Sequence, residues 1–172
     1  IASPKSTVVQ SNYIGLSIKE NETFKVVNRL LEAEEKVYKL PSGDFAVLYN
    51  KKNKAAIEDS GIPTFGLKKI AKHATVVKPV RIGLWDSYGG SMPSGWTRFL
   101  LEEYGYNFKV IYAPTIDKGH LHEQFDVIIL PSNAICRTDN TVNKPSNIPE
   151  PYASQWGNLT LAQSLPALEN FV

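Results

Sequence analysis

The sequence predicts an α/β protein: a small α/β unit over residues 1–78, then a partial, doubly wound parallel sheet over residues 79–172. Three observations carry that expectation. Residues 81–85 read as a buried-type strand that runs into a glycine-rich loop and then a helix, the opening of a strand–helix–strand crossover. Asp126-Val127-Ile128-Ile129-Leu130-Pro131 is an almost continuous apolar run, the pattern of a strand buried on both faces of a parallel sheet. Upstream, short strand-like segments surround one clearly amphipathic helix.

In chain order, residues 8–18 carry the β-branched and aromatic side chains of a strand, with Asn12 and Gly15 interrupting them. Asn21-Glu22-Thr23 offers short polar side chains to cap a helix, and Phe24, Val27, Leu30 and Leu31 then share one helical face with Val26 beside it. Residues 36–40 and 45–49 read as two strands joined by the turn Pro41-Ser42-Gly43-Asp44, a hairpin. Residues 53–60 suggest a short helix closed by Gly61, and residues 62–67 and 75–77 two extended segments.

The second unit opens at residues 81–85. A loop over residues 86–93 follows, with Ser94 in the N-cap position of a helix whose apolar face holds Trp96, Phe99, Leu100 and Tyr104. Gly105 marks its stop. Residues 108–112 form the next strand, 113–119 a loop, 121–124 one helical turn and 126–131 the third strand. Residues 132–158 are a long polar stretch with Pro145, Pro149 and Pro151, and residues 165–172 are helix-like. Loops of that length in a compact domain are usually functional or disordered.

Composition narrows the function classes. Hydrophobic residues make up 42% and charged residues 21% of the 172, which suits a folded domain with a core. The net charge is +2 with both signs interspersed, so no nucleic-acid partner is expected. Lys51-Lys52-Asn53-Lys54 is the one basic cluster and reads as a solvated loop. The single cysteine, Cys136, excludes an intramolecular disulfide. No apolar run approaches the roughly 18 residues of a membrane span. A first residue Ile1, with neither initiator methionine nor signal peptide before it, suggests a segment of a longer protein. So does a last residue directly after a helix.

The residues become specific at RIGLWDSYGGSMPSGWTRFLLEEYGY, from Arg81 to Tyr106. This run, with the later DVIILPSNAI, resembles the class I glutamine-amidotransferase-like domain that follows the catalytic domain of certain bacterial zinc carboxypeptidase-like metallopeptidases. The upstream NETFKVVNRLLEAEEKVYKL and GDFAVLYN resemble the small α/β region between those two domains. The resemblance implies a flavodoxin-like second unit and a secreted or periplasmic parent hydrolase acting on peptides or peptide-like cell-wall material. It implies zinc in the parent's catalytic domain and no cofactor in this segment. The implied partners are that catalytic domain and a peptide substrate.

The family's zinc set, a His-x-x-Glu pair with a distant third histidine after it, is not complete here. The three histidines are His73, His120 and His122; His120-Leu121-His122-Glu123 has the His-x-x-Glu spacing, but the remaining histidine, His73, lies upstream of it and none follows. An amidotransferase also needs a cysteine on a strand-to-helix elbow with a histidine to activate it. Cys136 lies just past the third strand, in the polar stretch, ahead of where the elbow would fall. The expectation is therefore a non-catalytic accessory segment that supports or positions the catalytic domain or its substrate.

Two other readings stay open. The loop at residues 86–95 leaves the carboxyl end of a strand and enters a helix N-terminus, where ligands bind in open α/β sheets. Asp86, Gly89, Gly90, Ser91, Ser94 and Gly95 would be its ligand-binding residues. In the competing account the glycines make a tight turn that Met92 and Trp96 pack closed. Cys136 could act as an amidotransferase-like nucleophile if His120 or His122 lay beside it. His120-Leu121-His122 alone is a weak metal signal. Of the aromatics Trp85, Trp96, Tyr104, Tyr106 and Phe108, some form core, and an exposed subset would dock the catalytic domain.

Overall fold

The computed structural model describes residues 5–138 and 145–172. The chain divides into two compact units, Ile1–Pro79 with Glu103–Gly105, and Val80–Glu102 with Tyr106–Val172.

The first unit is an antiparallel sheet with two helices. Its elements are β1 (Tyr13–Leu16), α1 (Glu22–Glu32), β2 (Val37–Lys39), β3 (Phe45–Leu48), α2 (Lys51–Glu58), β4 (Thr64–Leu67) and β5 (Thr75–Val76). The strand order is β4-β1-β3-β2-β5. Strand alternation turns Ile14, Leu16, Val37, Phe45 and Val47 to one face, where they meet Val26, Val27 and Leu30 of α1 and Ile57 of α2. Gly15 points the other way, and the ring of Phe65 lies where its Cβ would be.

Local chemistry explains where this unit departs from expectation. The strand expected over residues 8–18 is confined to β1, because both its partners pair only with Tyr13–Leu16. The side chain of Asn21 caps nothing. Thr23 is fully buried and its hydroxyl donates to the Ser17 carbonyl, 2.5 Å away. The basic cluster at residues 51–54 is the first turn of α2, not a loop. Asn50 Oδ1 accepts from the Asn53 N–H at 2.7 Å, and buried Asn53 donates to Glu35 and to the Leu48 carbonyl. Hydrogen bonds from Asn53 and Lys52 hold the Glu35 carboxyl below its usual range.

The second unit is a three-stranded parallel sheet with helices. It contains β6 (Ile82–Trp85), α3 (Met92–Glu103), β7 (Phe108–Ile111), α4 (Ala113–Asp117), α5 (Leu121–Gln124), β8 (Val127–Ile129), a 3-10 helix (Glu150–Gln155) and α6 (Ser164–Glu169). The order is β7-β6-β8, with both pairings parallel. Ile82 and Leu84 meet Leu101 of α3. Trp85 instead joins Ile111, Ala113, Ile116, Leu121, Phe125 and Leu159. Gly83 is on the same side as Trp85, and a Cβ there would come within 2.9 Å of Ile111 Cδ1 and 3.2 Å of Phe125 Cδ1. That close approach explains a glycine inside a central strand.

Three expectations change here. The loop expected at residues 113–119 begins as α4, with Pro114 in its first turn, a position where the missing N–H costs nothing. The third strand is not buried on both faces: Val127 and Leu130 are each 41% exposed. Among the described residues β8 pairs only with β6, which leaves its other edge open. The apolar residues of α3 are also turned outward, as described below. In the stretch 132–158, residues 139–144 lie outside the described residues, while Arg137 bridges Thr160 in parallel. Among the described residues, no helix is long and apolar enough to cross a membrane.

Candidate functional site

The candidate site is the turn between β6 and α3. The backbone N–H of Asp86 donates to the Ile111 carbonyl of β7 at 2.9 Å, so the loop starts from a fixed point on the sheet. Asp86 Oδ1 accepts from the Ser87 N–H at 2.8 Å, and the Gly90 N–H donates to the Ser87 carbonyl at 2.9 Å. Gly89 and Gly90 have φ of 82° and 81°, a left-handed pair that side chains other than glycine resist. Both are exposed, and a Cβ on Gly89 would meet nothing within 4 Å.

The helix begins earlier than expected. Ser91 Oγ accepts from the Ser94 N–H at 3.4 Å, and the Ser91 carbonyl accepts from the Gly95 N–H at 2.9 Å. Ser91 therefore caps α3, while Ser94 and Gly95 lie in its first turn. Pro93 was the overlooked signal, since proline favours the first turn of a helix. Ser94 is 1% exposed, so it packs the helix onto its unit and does not line an open surface. Asp86, Gly89, Gly90 and Ser91 remain together on the loop, and Gly95 is exposed beside them.

The competing account, with Met92 and Trp96 closing the loop, fails on exposure: they are 75% and 63% exposed. Phe99 and Leu100, expected with Trp96 in the core, are 54% and 53% exposed. The side of α3 that is buried carries Ser94 and Leu101. Small Ser94 lets the helix approach closely, and Leu101 fills against Ile82 and Leu84. Trp96 and Phe99 meet edge-to-face with centroids 6.1 Å apart. The result is an apolar face of α3 left exposed, with Ser94 and Leu101 as its buried contacts.

Around the loop, Tyr88 meets Trp156 edge-to-face at 5.0 Å. Burial, with the nearby charge of Asp86, pushes the Tyr112 phenol above its ordinary value. The indole Nε1 of Trp85 is buried and has no hydrogen-bond partner among the described residues. It belongs to the apolar cluster with α4 and α5, while α3 packs on the Ile82 and Leu84 side.

His120 and His122 have partners outside this loop. His120 Nδ1 pairs with Glu123 at 3.3 Å. His122 Nε2 bonds the Asn170 carbonyl at 2.7 Å and its ring stacks on Phe171. His73 lies in the first unit. Among the described residues no group of three or more metal-ligating side chains comes together. Cys136 packs against the Trp85 cluster, and burial and the charge of Asp117 push its thiol up. A nucleophilic thiolate needs the opposite shift. No family model, curated protein or solved structure matches this chain.

Proposed function

We propose that this chain is a non-catalytic accessory segment of a zinc carboxypeptidase-like metallopeptidase, which supports or positions the parent's catalytic domain or its peptide substrate. The supporting observation is the outward face of α3. Trp96, Phe99 and Leu100 lie on adjoining turns and are all more than half exposed, and large apolar side chains held in water favour a partner that covers them. Docking against the catalytic domain supplies that cover. Zinc belongs to the parent's catalytic domain in this reading. The finer fold reading, a flavodoxin-like, amidotransferase-like sheet, is supported by the parallel order β7-β6-β8. There the first strand of the unit lies between the second and third, as at the start of the flavodoxin-like order. The test is peptidase activity: the purified chain with added zinc should release no C-terminal residue from peptides. Zinc-dependent turnover by the chain alone would overturn the proposal.

A second reading, a small-ligand or peptide site on the turn after β6, is favoured by one observation. Asp86, Gly89, Gly90 and Ser91 sit on a loop that neither Met92 nor Trp96 closes. Chemical shifts of the Gly89, Gly90 and Ser91 amides, followed during titration with inorganic phosphate and with acetylated dipeptides, decide it. Saturable shifts at those amides support the site, and unchanged spectra remove it.

A further inference from the structure

We draw no further inference here: the strongest candidate, the exposed apolar face of α3 formed by Trp96, Phe99 and Leu100, carries nothing beyond the docking role already proposed, because nothing in the structure shows what else covers it.

Discussion

Arg81 and Asp126 form a two-point ion pair at the entrance to two adjacent parallel strands, with Nη2 to Oδ1 at 2.8 Å and Nε to Oδ2 at 3.1 Å. The Arg81 backbone N–H also donates to Asp126 Oδ2 at 2.8 Å. The guanidinium reaches on to the carbonyls of His122 and Glu123. One side chain thus ties the start of β6 to α5 and to the start of β8, which fixes the register of the parallel pair.

These hydrogen bonds hold the Asp126 carboxyl at about 2, below the roughly 3.9 of an unfolded aspartate. The folded form releases its proton more readily, so the contribution to stability is present above pH ~4 and fades as pH falls towards ~2. Thermal unfolding of the wild type should show that acid-side loss. Asp126→Asn should lower the Tm at pH 7 and flatten the dependence between those limits. An unchanged acid slope in the variant would remove this role from the pair.

Leu101 and Trp96 should behave in opposite ways. Leu101 is 9% exposed and packs on Ile82 and Leu84, so Leu101→Ala should cost about 2–5 kcal/mol in urea unfolding. Trp96→Ser alters a side chain that is 63% exposed and should stay within about 0.5 kcal/mol. Equal losses would mean that the outer face of α3 is also core.

Ser164 is fully buried. Its hydroxyl donates to Asp117 Oδ1, 2.5 Å away, and accepts from the Thr160 N–H at 2.8 Å. This joins α4 to the start of α6. Ser164→Ala leaves both groups short of a partner and should destabilise by about 1–3 kcal/mol, read by the same unfolding experiment. Amide exchange should rise in α4 and α6 before it rises in β6.

Gly15→Ala tests the first unit. The new methyl would occupy the space of the Phe65 ring, so the edge strand β4 has to shift at a cost of about 1–3 kcal/mol. Gly89→Ala has open space around it and suffers only from its positive φ. The Phe65 ring resonances should move in the first variant and stay in the second.

Much of the architecture was legible from residue pattern. The amphipathic spacing of Phe24, Val27, Leu30 and Leu31 located α1, although the buried face is centred on Val26, Val27 and Leu30 with Phe24 and Leu31 at its margin, and the turn at Gly43 located the hairpin of β2 and β3. Helix direction on α3 was not legible. Trp96, Phe99 and Leu100 have the apolar periodicity of a core face, yet the sheet takes the narrower side at Ser94 and Leu101. Periodicity identifies an apolar stripe but does not say whether the chain itself covers it. The same limit applied to residues 126–131, an apolar run with one strand edge left open. At the candidate loop, Asp86, Gly89, Gly90 and Ser91 were readable from the strand–glycine–helix pattern. The burial of Ser94 depends on which side of α3 meets the sheet, and spacing alone leaves that undetermined.

The proposed docking role is tested most directly by titrating the chain against a zinc carboxypeptidase-like catalytic domain, the partner that the proposal assigns to it, with binding followed by calorimetry. The account predicts saturable binding by the wild type and at least a tenfold weaker complex for the Trp96→Ser, Phe99→Ser double variant, with folding of the variant verified by circular dichroism. No binding by the wild type, or equal binding by both proteins, would contradict it.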